Sequence, residues 1–324
     1  MQLNPAFLAT LGLAASLGFG SGAALAQPPG QALPEGIRGG SEITPADGVE
    51  VRTYVFEETG EELPYSVFVS SKVKPGEEAP LVLALRGFTG TTLTFVRGTA
   101  VDMAEEGGYI LVGALGYNNR AGFGVQPRAR AGGPGPAAAP PAGPAAPATP
   151  AAPPAAVAGA RAGGPPAGPA PGGRGMPPML GGTAETDPAK ITEYSEKDVM
   201  NVLAMVREEF NIDDDRIYLM GHSQGGGGAQ HIAEKYSSIW AGVALIAPAL
   251  FGAELTAESD ILDLPVMIAV GDQDSLITSA KAFSEQLGSL GATYRYQEYA
   301  GIDHGTIIMT SMPEVFEFFG EHSK

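Results

Sequence analysis

The sequence contains no cysteine. Disulfide bonds and thiolate metal sites are therefore excluded, and an ordinary hydrophobic core must stabilise the fold. After the N-terminal segment, no apolar run reaches the roughly 18 residues of a membrane helix, so we expect no membrane span. A His-Glu-x-x-His spacing is also missing, which leaves a zinc hydrolase unsupported. We expect neither a metal nor another cofactor.

Basic residues are few, since 19 Lys and Arg stand against 36 Asp and Glu and give a formal net charge of -17. Phosphate contacts need clustered Lys or Arg, and the sequence has no basic stripe. Nucleic-acid binding is therefore disfavoured. Solubility outside the cell is the simplest explanation of the acidity.

Two segments differ in composition from the rest of the chain. Residues 1–26 hold an apolar run that ends in Ala-Leu-Ala, as in a secretory signal, although they lack Lys and Arg; the alternative is an unstructured tail. Residues 131–182 are almost entirely Ala, Gly and Pro, which predicts a disordered insert. We therefore expect a secreted or periplasmic protein whose single folded domain has two parts, 27–130 and 183–324.

Hydrophobic periodicity predicts alternating strands and helices. The predicted strands are 49–56, 63–70, 80–85, 109–115, the run before residue 221, 242–247, 265–270 and 293–299. The predicted helices are 94–106, one started by Ser195 and Asp198 as a capping box and ending near 210, one through 230–236, 280–290 and 313–322. This alternation predicts an α/β fold with a mostly parallel sheet and helices on both faces.

The most informative segment is RIYLMGHSQGG, residues 216–226. It reads as a buried strand, a Gly-x-Ser-x-Gly turn and a helix start. Gly221 and Gly225 suit this turn because a side chain at either position would collide with the neighbouring strand or helix. This order is typical of the nucleophile elbow of α/β-hydrolases, with Ser223 exposed at the apex. The segment predicts Ser223 as a nucleophile.

A serine nucleophile needs a histidine base and a carboxylate, which follow the serine in that fold in the order acid, then histidine. Asp272 and Asp274 lie in a loop after one predicted strand, and His304 lies in a Gly-flanked loop after the next. The carboxyl ends of parallel strands share one edge of a sheet, so these residues can meet Ser223. Either aspartate can serve as the acid on these grounds.

Other candidates are weaker. Asp303 adjoins His304, and its backbone direction opposes that of its neighbour. His222 lies inside the elbow and points away from Ser223, so we expect it to pack. His231 falls within the elbow helix as a core-facing or capped residue, and His322 lies in the C-terminal tail.

The tetrahedral intermediate needs hydrogen-bond donors for its oxyanion. The residue after the nucleophile supplies one backbone N–H, that of Gln224. The second comes from the loop after strand 80–85, where Phe88 is the natural donor and Gly87 allows close approach. We expect the Phe88 side chain to pack under this loop.

From about residue 63 to 319, without the insert, the chain resembles secreted bacterial α/β-hydrolases. The similar groups are the polyhydroxybutyrate depolymerases, the feruloyl-esterase-like enzymes and the prolyl-oligopeptidase-type (S9) hydrolase domains. The phrases DRIYLMGHSQGGG (215–227) and WAGVA (240–244) carry the resemblance. It implies an α/β-hydrolase fold.

The resemblance implies a triad of Ser223, Asp274 and His304, with Phe88 and Gln224 as oxyanion donors. It favours Asp274 over Asp272, because in related hydrolases the residue three after the glycine is where the loop turns back toward the histidine.

Two features depart from these families. Arg86 stands before Gly87 where they usually have histidine, which changes the hydrogen bonding of the oxyanion loop. Only 14 residues, 251–264, separate the strand after the elbow from the acid strand, so we expect no large cap domain.

The insert begins just after a strand that ends near Gly116, and we expect it to emerge at the rim of the site.

These observations predict a secreted serine hydrolase that cleaves carboxylic esters, small or polymeric, through an acyl-enzyme. A serine peptidase or amidase of the prolyl-oligopeptidase type is the first alternative. A non-catalytic binding protein on a hydrolase scaffold is the second.

Overall fold

The computed structural model describes residues 45–125, 183–250 and 253–324. The expected signal segment 1–26 and the expected insert 131–182 lie outside the described residues, so both stay predictions. Within the described part of the chain, no helix is long and apolar enough to cross a membrane.

The strands of the described residues form one eight-stranded sheet in the order β1-β2-β4-β3-β5-β6-β7-β8. Their bounds are β1 Val49–Phe56, β2 Glu61–Val69, β3 Ala79–Leu85, β4 Ile110–Ala114, β5 Ile212–His222, β6 Gly242–Ile246, β7 Val266–Gly271 and β8 Tyr294–Tyr299. β2 pairs antiparallel with β1 and β4, and every other pair is parallel. The prediction of a mostly parallel sheet is confirmed.

The helices of the described residues are α1 Gly98–Gly107, α2 Pro188–Glu209, α3 Gln224–Lys235, α4 Ile277–Ser289, α5 Ile307–Thr310 and α6 Met312–Gly320. Every residue of β3, β6 and β7 is buried. Successive side chains of a strand point to opposite faces, so both faces of the central sheet are covered. This agrees with the continuous apolar runs from which these strands were predicted.

The predicted capping box at Ser195 is wrong, because α2 begins seven residues earlier at Pro188. The true N-cap is Asp187, whose side chain accepts from Ala189 N, and a proline at the first helical position suits a helix start. Ser195 Oγ instead accepts a hydrogen bond from Gly124 N at 3.1 Å. The serine that resembled an N-cap in the sequence therefore makes a tertiary contact from within the helix.

Helix α1 also differs from the prediction, since it begins at Gly98 rather than at residue 94. Thr94 closes a turn in which both its N–H and its hydroxyl donate to Thr91 O, at 3.0 and 2.8 Å. Local side-chain bonds of this kind compete with helix formation. Arg97 is then extended, and the helix starts after it.

The carboxyl ends of β3, β5, β7 and β8 lie along one edge of the sheet, because these strands are parallel to one another through the intervening pairs. The loops that carry the predicted site residues leave from this edge. Between β6 and β7 the described residues form loop and one short 3-10 turn, Asp260–Asp263, so no large cap covers the edge there.

Candidate active site

Ser223 occupies a strained turn between β5 and α3, with φ 55° and ψ −116°. Its backbone N–H donates to Ile246 O at 2.9 Å, which ties the turn to β6. A Cβ on Gly221 would overlap Gly225 O, and one on Gly225 would overlap Leu85 O. Glycine is therefore required at both positions. A non-glycine residue at this φ costs about 1–3 kcal/mol, which the surrounding packing must offset.

Ser223, His304 and Asp274 form a continuous hydrogen-bonded chain. His304 Nε2 lies 2.9 Å from Ser223 Oγ, and His304 Nδ1 lies 2.6 Å from Asp274 Oδ2. A carboxylate only accepts, so Nδ1 carries the proton and Nε2 is free to accept the serine proton. The Asp274 side chain is fully buried, whereas that of His304 is 42% exposed. A buried carboxylate thus holds an accessible imidazole against the serine hydroxyl.

The other two aspartates of these loops face different partners. Asp272 Oδ1 accepts from Gly301 N at 2.8 Å and braces the two loops against each other. Asp303 Oδ1 accepts from Thr306 N at 2.8 Å, and this bond lowers the pKa of the Asp303 carboxyl. Among the described residues, neither Asp272 nor Asp303 is hydrogen-bonded to the His304 ring.

His222 has a more specific contact than packing alone. It is buried, and its Nε2 donates to His304 O at 2.7 Å. Burial, followed by the neighbouring His304, lowers the pKa of His222 to about 4, so the ring is neutral at pH 7. This contact could not be predicted from the position of His222 next to Ser223, because His222 and His304 are 82 residues apart in sequence.

The remaining histidines lie in contacts apart from Ser223. His231 Nε2 lies 2.8 Å from Glu196 Oε2, which joins α3 to α2. His322 Nδ1 lies 2.7 Å from Phe318 O near the C-terminus. His231 is half-buried, consistent with a helical residue that has a side-chain partner.

The loop after β3 lies beside the serine. A Cβ on Gly87 would come within 3.5 Å of Ser223 Cβ and 2.9 Å of His222 Nδ1, so only glycine allows this approach. Among the described residues, no protein atom accepts a hydrogen bond from the backbone N–H of Phe88 or of Gln224. Both predicted donors are therefore available to a ligand.

The Phe88 side chain does not pack under the loop as predicted. It is 53% exposed, and the Arg120 guanidinium lies 5.7 Å from its ring centroid. The loop is instead held by backbone bonds, since Gly90 N donates to Gly87 O at 3.0 Å and Thr89 N to Asn119 O at 2.8 Å.

Residues 116–125 lead from β4 to the part of the chain that is not described. Gln224 Nε2 donates to Arg120 O at 2.9 Å and Thr89 N donates to Asn119 O at 2.8 Å, so this loop borders both the turn at Ser223 and the loop after β3. Tyr117 and Phe123 have φ values of 62° and 55°, which non-glycine residues rarely adopt. This loop, whose last described residue is 125, therefore lies beside the candidate site.

The described residues contain no group of three or more His, Asp or Glu side chains that could hold a metal ion.

Comparisons with known proteins found one family model and a set of solved structures with a similar fold. A family model described as esterase PHB depolymerase matches residues 189–284, which include Ser223 and Asp274. No curated protein gave a match. Solved structures with the same fold include a thermostable esterase, an S-formylglutathione hydrolase from Agrobacterium tumefaciens and a ferulic acid esterase from Anaeromyces mucronatus.

The thermostable esterase shares 18% identity at a TM-score of 0.51, and the match covers 86% of this chain but only 64% of that one. The S-formylglutathione hydrolase shares 18% identity at a TM-score of 0.57 and is covered over 97% of its length. The ferulic acid esterase shares 14% identity at a TM-score of 0.55 and is covered over 90% of its length. The match covers 86% of this chain for the S-formylglutathione hydrolase and 85% for the ferulic acid esterase. At these identities the likeness shows the α/β-hydrolase fold. The family match adds a similarity to esterase PHB depolymerases over residues 189–284.

Proposed function

We propose that this protein is a serine esterase in which Ser223, His304 and Asp274 form the catalytic triad. The observation that carries the proposal is the chain of two hydrogen bonds, 2.9 and 2.6 Å, that links the three side chains. These are the distances at which a base can take a proton from the nucleophile and an acid can orient the base.

In the first half of the reaction, Ser223 Oγ attacks the ester carbonyl carbon while its proton passes to His304 Nε2. The carbonyl oxygen becomes an oxyanion, held by the N–H groups of Phe88 and Gln224. Asp274 stabilises the imidazolium through its bond to Nδ1. Collapse of the tetrahedral intermediate breaks the ester C–O bond, and the leaving alcohol takes the proton from His304.

In the second half, His304 Nε2 takes a proton from a water molecule as that water attacks the acyl-enzyme carbonyl. The same two N–H groups hold the second oxyanion. Collapse releases the carboxylic acid and returns the proton to Ser223 Oγ. The net reaction is hydrolysis of one ester bond by one water, with no cofactor among the reactants.

A cavity of about 440 Å³ lies between the loop after β6 and helix α4. It adjoins the site because Ala249 N donates to Ser223 O at 2.8 Å and Leu276 N donates to Asp274 Oδ1 at 2.8 Å. Its described lining is mostly apolar: Ala249, Leu250, Ala253, Glu254, Leu276, Ser279, Ala282, Phe283 and Gln286. We propose that it receives an apolar part of the ester.

We further propose that the enzyme is exported and acts outside the cytoplasm. The proposal rests on the signal-like composition of residues 1–26. Fractionation of cells that express the full chain, with immunodetection of the processed protein, tests it; full-length protein retained in the cytoplasm contradicts it.

Hydrolysis of p-nitrophenyl esters from acetate to octanoate, by wild-type and Ser223→Ala protein that lack residues 1–26, tests the catalytic proposal. We expect kcat to fall by about 10⁴–10⁶-fold in the variant, as for loss of a triad serine. Retained activity in a variant of equal thermal stability rules out Ser223 as the nucleophile.

Two further measurements separate the alternatives. Faster release from peptide p-nitroanilides than from matched esters would identify a peptidase or amidase with the same triad. Absence of labelling of Ser223 by a fluorophosphonate in folded protein would point to a non-catalytic binding protein.

A further inference from the structure

Arg86 follows β3 at the start of the oxyanion loop, and it is only 1% exposed. An arginine has five N–H donors, and all five have acceptors here. The bonds are Nε to Leu115 O at 2.7 Å, Nη1 to Gly87 O at 3.1 Å and to Gln224 Oε1 at 3.2 Å, and Nη2 to Asn118 O and to Ala121 O, the last at 3.1 Å. None of these acceptors is a carboxylate, so the guanidinium binds neutral oxygens around the site.

One of these bonds fixes the peptide group that supplies an oxyanion donor. Gly87 O and Phe88 N belong to the same trans peptide, whose C=O and N–H point in opposite directions. When Arg86 Nη1 holds Gly87 O, it sets the plane of that peptide and directs the Phe88 N–H away from the guanidinium. A cation at the oxygen end also polarises the group and strengthens the N–H as a donor.

The same guanidinium nitrogen reaches the other proposed donor residue. Nη1 also donates to Gln224 Oε1, and Gln224 Nε2 donates to Arg120 O at 2.9 Å. Both polar atoms of the Gln224 side chain are thereby held in place. Arg86 thus contacts both segments that would receive the oxyanion.

The charge of Arg86 is compensated through a second peptide group. Leu115 O accepts from Arg86 Nε, while the N–H of the same peptide, that of Gly116, donates to the buried Asp198 at 2.6 Å. The Phe123 ring lies 4.8 Å from the guanidinium carbon. Burial lowers the pKa of Arg86 to about 9 and Asp198 opposes the shift, so the side chain is still protonated at neutral pH.

We propose that Arg86 is a positioning residue for the oxyanion hole, which aligns the Phe88 and Gln224 donors and lends them positive charge. This inference rests on the proposed esterase function. It assigns a role to the arginine that stands where the similar families usually have histidine. If Arg86 only joined β3 to the 115–121 loop, it would stabilise the fold but would not bind the transition state more tightly than the substrate.

The test compares Arg86→Gln and Arg86→Lys with wild type, and uses Arg52→Gln as the matched control. Arg52 lies on β1 and pairs with Glu50 and Glu209, away from the elbow. We expect Arg86→Gln to lower kcat by about 10–100-fold with KM within threefold, somewhat less than removal of an oxyanion donor itself. Arg86→Lys should retain part of the rate because it keeps the charge, and Arg52→Gln should match wild type.

A second readout separates positioning from stability. An aryl trifluoromethyl ketone forms an adduct with Ser223 whose oxygen occupies the oxyanion hole. Its inhibition constant should rise in Arg86→Gln by the same factor as kcat/KM falls. Should that variant fail to fold by circular dichroism, Gln224→Leu keeps the Gln224 N–H and removes the side-chain bonds to Arg86 Nη1 and Arg120 O. It should lower kcat and inhibitor affinity by about threefold or more.

Unchanged kcat and inhibitor affinity in folded Arg86→Gln, or in Gln224→Leu where the first variant is unfolded, overturns the inference while leaving the esterase intact. Failure of the esterase proposal looks different, since wild-type protein would then neither hydrolyse esters nor react with a fluorophosphonate.

Discussion

Protonation of His222 should make the stability of this protein depend on pH in a way that one substitution removes. The ring is 6% exposed and donates to His304 O, and burial lowers its pKa to about 4. An unfolded histidine has a pKa of about 6.5, so as pH falls the unfolded chain binds this proton first. The native state is therefore favoured above pH 6.5 and loses stability as pH falls toward 4.

At about 1.4 kcal/mol per unit of pKa difference, His222 should lower the free energy of unfolding by roughly 2 kcal/mol between pH 7 and pH 5, and by roughly 3 kcal/mol below pH 4. Urea unfolding followed by the fluorescence of Trp240, the only tryptophan and fully buried, measures this. His222→Gln removes the titration but can still donate to His304 O, so its stability should decline less over the same range.

A matched variant separates the charge effect from the hydrogen bond. His222→Phe also cannot titrate, but it leaves His304 O without its donor, which costs about 1–3 kcal/mol at every pH. Both variants should show the same shallow pH dependence, with the phenylalanine variant less stable throughout. Parallel curves for wild type and His222→Gln would refute the depressed pKa and the reasoning from burial.

The same site gives two further predictions. Asp274→Asn should lower kcat by about 10⁴-fold because His304 loses its orienting carboxylate. Asp272→Asn changes a residue that touches only loop groups, so it should keep activity within about tenfold in the same p-nitrophenyl ester assay. Equal losses in the two variants would contradict the assignment of Asp274 as the acid. Gly225→Ala places a Cβ onto Leu85 O, so it should destabilise the fold by more than about 3 kcal/mol or abolish soluble expression, and a wild-type melting temperature would contradict the tight packing of the elbow.

Much of the fold could be predicted because the strands are apolar and bounded by glycine or polar residues. β1 was predicted with its observed bounds, β3 and β6 differ from prediction by one residue at one end, and β7 is shifted by one residue at both ends. β3, β6 and β7 are buried on both faces, so their local sequence and their tertiary environment favour the same apolar residues. Helix starts were less predictable, because Ser195 and Thr94 use their hydroxyls in contacts that the sequence alone does not reveal.

For the candidate site, the turn around Ser223 could be recognised from sequence because glycine is required at fixed spacing around it. The choice of acid could not be made from the residues, since Asp272 and Asp274 both follow β7 in one loop. In the structure Asp274 turns inward to His304 and Asp272 binds Gly301 N. The catalytic roles of these residues stay proposals until the variants are measured.

The amino-acid sequence by itself determined the strand pattern, the Gly-x-Ser-x-Gly turn and the absence of disulfides, because each depends on residue type or on spacing along a short stretch. Only the tertiary structure decided which groups surround that turn. Two contacts depend on loops that the fold brings together at the carboxyl edge of the sheet. One is the bond from His222 to His304 O, and the other is the pair of bonds from Arg86 to Gly87 O and Gln224 Oε1. Contacts between residues far apart in sequence leave no local periodicity, so the folded chain alone reveals them.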